Sequence, residues 1–501
     1  MAHPQRSRTA GAAGMYMVFL AKLRLLPQPT GNPRSMSAPV PFPLFPSSAP
    51  ESSLAIACRL FHHAWPVLVA QLLSMSMLIA DTLITGRYGT LDLAAVAVGS
   101  GVYISVVMLL VGVLQAVAPT VAHHFGARRT DAIGPALQQG FWLALMLALP
   151  GIALLAFPGF LLELSSVPAD VAGKTRDYLL ATAFGLPAVL LYRTFYAFNN
   201  ALGRPRALMM ISFVVTATHV PLAWALVHGS FGLPPLGVVG CGISTAVVNW
   251  IAFACGAGYL ARNPDYRPYR LFAQWQPPRR SDLLALLKLG IPMGLSTFIE
   301  VSSFTLIALF AARLGAEAVA GHRVVANLAA LIYMLPLAIS IAILVLVGQA
   351  AGAHEPARAR ATVRVGMGLT VALVALIGVL LWVGREPVVA VFSADPAVRA
   401  VALGLVFYIC IYQIFDAVQT VAAHALRGYK VTFLPMLLHA LCFWGIALAG
   451  GYWLAFHAPG REQSPSVAGF WEASVVATIL ASVLFGWLLR VVMRRPQNGR
   501  A

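Results

Sequence analysis

Charged residues are scarce in this 501-residue chain: Asp, Glu, Lys and Arg together make up 10% of it, while 59% is hydrophobic. A soluble globular protein carries about a quarter charged residues. So little charge excludes a water-facing surface large enough to enclose this much apolar material, and the chain must be solvated largely by lipid. Acids are the rarer sign, 17 against 34 Lys and Arg, for a net charge of +17. That balance would suit nucleic acid if the bases shared a face or a tail, but they lie in short loops between apolar runs, so no nucleic-acid partner is expected. Cysteine is also sparse. Cys58, Cys241, Cys255, Cys410 and Cys442 sit in or beside apolar runs without CxxC spacing, which excludes a disulfide framework and a cysteine zinc site. The chain lacks a Walker loop, a GxSxG elbow and an HExxH helix. With them go ATP hydrolysis, acyl transfer and zinc peptidase chemistry, so neither an enzyme nor a cofactor is expected.

Apolar runs of spanning length begin near Ala64. They predict an all-α membrane protein with spans at roughly 62–86, 93–120, 134–157, 175–201, 207–228, 236–260, 284–312, 318–348, 360–384, 399–426, 432–456 and 467–492. Residues 1–55 differ in being rich in Pro, Ser and Ala. Their one apolar stretch, Met15–Leu26, is broken by Lys22 and Arg24 and is too short to span. They read as a disordered leader, with Met36 as an alternative start. The domains expected after it are a six-helix half over 56–261, a connector over 262–282, a second six-helix half over 283–495 and a tail over 496–501.

Basic residues set the orientation. Arg128, Arg129, Arg204, Arg206, six in the 262–288 stretch, Arg358, Arg360, Arg364, Arg427, Lys430 and four near the C-terminus share one side. That is about nineteen, against about eight on the other side, so this face and both termini are expected to be cytoplasmic. The two halves also repeat. Pro66 and Pro292, Gly89 and Gly315, Gly126 and Gly352, and Gly140 and Gly366 all pair at an offset of 226 residues. Gly203 pairs with Gly428 at 225 and Gly240 with Gly469 at 229. Six helices per half return the chain to the same side. The halves are therefore parallel, related by a pseudo-twofold axis along the membrane normal, with a cavity between them.

Most of the 17 acids fall in loops or at span ends; Asp81, Glu300 and Asp416 do not. A carboxylate inside a span costs about 3 kcal/mol or more and needs a compensating reason. Glu300 lies twelve residues past Lys288 and Asp416 eleven before Arg427. Both are thus about 17 Å from the basic boundary, at matched depth. With no Lys or Arg expected at that depth, a proton or Na⁺ is the natural partner, and the pair suits cation exchange. Tyr412, Gln413, Gln419 and Thr420 form a polar stripe around Asp416 that must face protein or a wet cavity. Tyr192, Asn199 and Asn200 are a weaker counterpart in the first half. Prolines 119, 187, 221, 292, 336 and 435 mark expected kinks. The tandem His62-His63 and His123-His124 point to different helix faces and read as interfacial residues, not metal ligands.

At these residues the chain resembles the multidrug and toxic compound extrusion family, in its NorM-type bacterial branch. The likeness rests on the segment from Ile411 through Asp416 to Lys430, and on Phe298-Ile-Glu300-Val, Ala320-Gly-His322 through Asn327 and Leu78-Ile-Ala-Asp81-Thr. Gly185-Leu-Pro187 and the run from Leu236 to Gly242 also carry it, and the likeness covers residues 60–495. It implies two six-helix lobes in a V and alternating access, with cationic amphipathic drugs leaving as Na⁺ or H⁺ enters. By it, Glu300, Tyr412 and Asp416 match the second-lobe cation site, with Asn327 nearby, and Asp81 matches the first-lobe carboxylate. Asn200 stands where relatives have an acid, and His219 where they have Asn, which suggests that His219 joins Asp81 in a proton-responsive pair. Asn199 and Asn200 are further first-lobe candidates, while Tyr192 and Gln413 are candidates for the substrate cavity. Any metal would be Na⁺ at Glu300 and Asp416, and the expected state is a monomer in the bilayer. A lipid-linked saccharide flippase of the same superfamily would need a more cationic cavity, and a membrane enzyme a clustered nucleophile or metal set.

Overall fold

In lipid a backbone amide finds no partner outside its own chain, so apolar runs of this length close into helices. The computed structural model describes residues 52–164, 168–230, 232, 234–272, 274–459 and 465–495. The expected leader lies outside these, except that residues 52–55 begin the first helix. There Ser52 Oγ accepts from the Ala55 amide at 3.2 Å. The tail 496–501, with Arg500, and the loop pair Arg461 and Glu462 also lie outside the described residues.

Among the described residues, eleven helices are long and apolar enough to cross a membrane. They are Ser53–Tyr88, Thr90–Gly126, Thr130–Ala156, Pro205–His228, Val238–Arg262, Arg280–Leu314, Ala316–Gly352, Pro356–Val383, Pro396–Gly428, Phe433–Phe456 and Ala468–Arg494. A twelfth crossing is the pair Ala169–Ala183 and Leu186–Ala201, bent by 50° just before Pro187. Numbered in chain order, with this pair as the fourth, they match the twelve expected spans. A second break, at Gln115 and Ala116, precedes Pro119 in the second span. Proline favours helix starts because its missing N–H is not needed there. Pro205, Pro356 and Pro396 begin the fifth, ninth and tenth spans.

Packing repeats between the halves. In the first, span 1 packs on 5, 5 on 6, 6 on 4 and 4 on 2; in the second, 7 packs on 11, 11 on 12, 12 on 10 and 10 on 8. The halves meet through spans 2 and 7, 1 and 8, and the basic ends of 2 and 8. Where spans 2 and 7 cross, a Cβ on Gly112 would fall 2.5 Å from the Gly294 Cα, so the two glycines set the approach of the halves.

The basic-side contact is symmetric residue by residue. A Cβ on Gly126 would fall 1.9 Å from the Gln349 carbonyl oxygen, and one on Gly352 would fall 2.2 Å from that of His123. Both members of each contact are related by the offset of 226. The side chains repeat the relation: Gln349 Nε2 donates to Ala201 O, and His123 Nε2 bonds Gly428 O, both at 2.8 Å. His123 is thus part of a seal between the halves, not the interfacial residue its tandem position suggested. The next turns match too, Arg128 at φ 57° with His354 at 58°, and Gly203 at 73° with Lys430 at 60°. The last pairing corrects the sequence register in this region: Gly203 corresponds to Lys430, two residues beyond Gly428.

Asp92 and Lys174 tie the far ends of three spans together. Asp92 is buried in the first turn of the second span. Its carboxylate takes Lys174 Nζ at 2.5 Å and the Val238 amide at 2.9 Å. The connector is strapped to the third span. Gln138 Nε2 donates to the carbonyls of Leu271 and Gln274, and Gln139 Nε2 to that of Pro277. Their Oε1 atoms accept from the amides of Gln276 and Arg279.

Candidate functional site

In the second half the polar residues converge. Asp416 is 1% exposed at the middle of the tenth span. Gln419 Nε2 donates to its Oδ1 at 3.0 Å, and Tyr412 Oη approaches the same atom at 3.4 Å. These are i+3 and i−4 neighbours, so one helix supplies the carboxylate and its donors. The Tyr412 ring stands edge-on to Phe304 of the seventh span and Trp471 of the twelfth, each with centroids 6.0 Å away. That packing fixes its hydroxyl against Asp416. Glu300, half-buried on the seventh span, interacts with Asp416, with Arg427 and with Tyr333 of the eighth span. Glu300 and Asp416 are thus electrostatic neighbours.

One part of the expectation needs correction. Arg427 was placed in a basic-side loop, away from the carboxylates. It lies inside the tenth helix, which runs to Gly428, and is buried. It meets Gln115 Oε1 and His424 Nε2, each at 3.4 Å, and is an electrostatic partner of Glu300. The pair thus has a fixed cation about 16 Å farther along the tenth helix. Asn327 is exposed on the eighth span, and no described hydrogen bond joins it to Glu300 or Asp416. Gln413 is 1% exposed and turns to the eighth span, donating to Ala329 O at 2.7 Å. It faces helix–helix packing, not an open cavity.

The first half holds a separate constellation. His219, fully buried on the fifth span, places Nε2 2.8 Å from Asp81 Oδ1 on the first. Its Nδ1 lies 3.1 Å from Ser244 Oγ of the sixth span, which also reaches the His219 carbonyl at 3.3 Å. An ionised Asp81 accepts from Nε2–H while Ser244 donates to Nδ1. A protonated Asp81 donates to Nε2, and Ser244 then accepts from Nδ1 and donates to the carbonyl. Both arrangements are fully hydrogen-bonded, as buried polar groups require.

Asn199 and Asn200 do not join this group. Asn199 Oδ1 accepts from Tyr266 Oη of the connector at 2.5 Å. Burial, then the neighbouring Tyr259, push the Tyr266 phenol above its ordinary range and keep it a donor. Asn200 lies beside His63, eighteen residues before Asp81 on the first span, about 27 Å along the helix. The Tyr192 hydroxyl is buried beside Ser212, its ring stacked on Phe195 with centroids 5.8 Å apart.

Ser244, Ser296 and His439 went unnoticed in the sequence. Their signal was faint: single small hydroxyls and one histidine in apolar spans, significant only once the helices bring them together. Asp81 and Glu300 are also not symmetry mates, because the offset of 226 carries Asp81 to Ile307.

Twelve helical crossings with a parallel internal repeat and carboxylates placed between helices are the architecture of a polytopic membrane transporter. The repeat is also the unit of a family. The MatE family model matches twice, over residues 66–225 and 292–453. A probable multidrug resistance protein NorM of Aromatoleum aromaticum is 94% identical over 463 residues, covering 92% of this chain and 99% of the relative. Multidrug resistance protein PmpM of Pseudomonas aeruginosa is 34% identical, covering 84% of this chain and 88% of that one. The chain belongs to the MatE family. Its fold is that of the Vibrio cholerae MATE transporter VcmN in the bent form (TM-score 0.77, 20% identity, 88% of this chain and 98% of that one). It also matches an outward-facing multidrug resistance MATE family transporter (TM-score 0.79, 14% identity, 90% and 100%).

Proposed function

We propose that this protein exports amphipathic cationic compounds across a bacterial inner membrane by antiport against Na⁺ or H⁺, with Glu300 and Asp416 as the coupling site. The observation that carries this reading is a buried Asp416 with a half-buried Glu300 as its electrostatic neighbour, both inside membrane spans. Two adjacent carboxylates inside spans repel and are poorly solvated, so they favour a bound proton or Na⁺. Displacing that cation restores the repulsion, which gives a conformational change something to act on. The names of relatives such as the Aromatoleum protein support multidrug compounds as cargo.

The basic face is read as cytoplasmic, with both termini there, and the seal at Gly126 and Gly352 as the closed inner gate of an outward-facing state. Alternating access would then break Gln349–Ala201 and His123–Gly428 together, since they are equivalent in the two halves. Asp81, His219 and Ser244 are proposed as a separate proton-responsive group, nearer the outer side. The test is ethidium or norfloxacin efflux from vesicles with imposed Na⁺ or H⁺ gradients, for the wild type and Asp416→Asn. Efflux of the variant at the wild-type rate would remove Asp416 from coupling.

A further inference from the structure

The fourth span carries a cation of its own, Arg193. It stands eight residues past Gly185, at the bend of that span, and ten before Gly203, in the turn at its basic end. These steps are about 12 and 15 Å along the helix. In the repeat register that pairs Gly203 with Lys430, Arg193 falls opposite Thr420, one turn from Asp416. It therefore lies at the depth of the second half's polar site. A cation so deep in a membrane protein needs a partner. Among the described residues no carboxylate forms an ion pair with Arg193, and no hydrogen bond engages its guanidinium.

The packing of its neighbours fixes where it points. Thr194 packs against Gly140 of the third span and Phe195 against Gly256 of the sixth. Arg193 instead shares a face with Tyr196 and Asn200, three and seven residues on. Asn200 lies beside His63 of the first span, and Arg193 is an electrostatic neighbour of Tyr103 of the second. Spans 1, 5, 6, 4 and 2 pack on one another in that order, and span 2 packs on span 1, so they close a ring. Arg193 faces into this ring. Arg193, Tyr196, Tyr103 and Asn249 of the sixth span are each partly exposed. For side chains turned into a ring of helices, that exposure is to space between the helices and not to lipid.

The group suits a negative charge. The Tyr196 ring centroid lies 5.5 Å from the guanidinium carbon, a cation–π contact that supports the charge and leaves the N–H fork free. Asn249 Nδ2 donates to Tyr103 Oη at 3.4 Å, so the phenol keeps its own hydrogen to give. A planar fork with a single charge matches a carboxylate in two parallel hydrogen bonds.

We propose that Arg193, with Tyr103 beside it, binds the carboxylate of zwitterionic cargo inside the first half. The compounds selected are amphipathic amines that also carry an ionised carboxyl group. The proposal rests on the reading of the protein as an exporter of amphipathic compounds. It adds a recognition element that the acids Glu300 and Asp416, which repel anions, do not supply.

The test compares three probes by fluorescence titration of the purified full-length protein. Norfloxacin carries both an amine and a carboxylate, its methyl ester lacks the negative charge, and ethidium is a permanent cation. The wild type is expected to bind norfloxacin about tenfold more tightly than the ester, the effect of one charge-assisted pairing. Arg193→Gln is expected to abolish that difference by weakening norfloxacin alone, with ethidium bound at least as tightly as before. Arg193→Lys, which keeps the charge but not the fork, is expected to fall between the two. A wild type that binds the ester as tightly as norfloxacin overturns the proposal, and this arm needs no variant to fold. So does a folded Arg193→Gln protein that keeps the tenfold preference, or that loses all three probes alike. Failure of the wild type to bind any of the three overturns the export reading instead, so the two failures are separate results.

Discussion

His219 of the fifth span hydrogen-bonds Asp81 of the first, Nε2 to Oδ1 at 2.8 Å, with both side chains buried. Asparagine at this position could donate to an ionised carboxylate or accept from a protonated one, but unlike histidine it cannot take up a proton. His219→Asn is therefore expected to change the pH profile of efflux. An efflux profile that overlays the wild type would show that the pair takes no part in the pH response.

The seal on the basic side makes a paired prediction. Alanine at Gly126 or at Gly352 would drive a methyl group into a backbone carbonyl of the other half. Overpacking of this kind costs about 1–3 kcal/mol, which would shift the open–closed balance by about 5–150-fold. Because the two contacts are equivalent, Gly126→Ala and Gly352→Ala should act in the same direction and to a similar degree. The measurement is maleimide labelling of a cysteine introduced at Ala127 in the basic-side mouth, expected to be faster in both variants. Faster labelling in only one of them would show that the halves do not share the gate equally.

Much of this was legible in the sequence, and the limits have physical causes. Spans follow from apolar length and the repeat from glycines and prolines, since both are local or periodic. Asp81, Glu300 and Asp416 stood out because a charge in an apolar run is costly wherever the run packs. What failed depended on partners far apart in the chain. Asn199 and Asn200 look like site residues by position, yet one serves the connector and the other faces His63. Asp92 looked like a loop acid because its partners, Lys174 and the Val238 amide, come from spans 4 and 6. Arg427 was misread because the tenth helix runs to Gly428, two residues past the expected span end, and packing against the second span buries the side chain.

Asp92 carries a stability prediction. Its carboxylate is buried and satisfies both an ammonium and a backbone amide. Asp92→Ala would leave the Val238 amide unpaired, at a cost of about 1–3 kcal/mol. The expected outcome is a lower melting temperature in detergent, with the coupling ion unchanged. Wild-type melting would show that the tie between spans 2, 4 and 6 is dispensable.

The connector strap predicts a protease result. Gln138→Ala removes the partner of two carbonyls and one amide in the segment that precedes Arg279 and Arg280. Trypsin is expected to cut the variant in this segment several-fold faster than the wild type, with the spans left intact. Equal cleavage rates would mean that the connector is held by something other than the third span.

The central claim is that the pair of Glu300 and Asp416 couples a cation to export. Its most direct test is substrate efflux from vesicles under an imposed Na⁺ or H⁺ gradient, with Asp416→Asn beside the wild type. The account predicts that the wild type responds to one of the gradients and that Asp416→Asn, although folded and still able to bind substrate, responds to neither. Gradient-driven efflux by Asp416→Asn at the wild-type rate would contradict it.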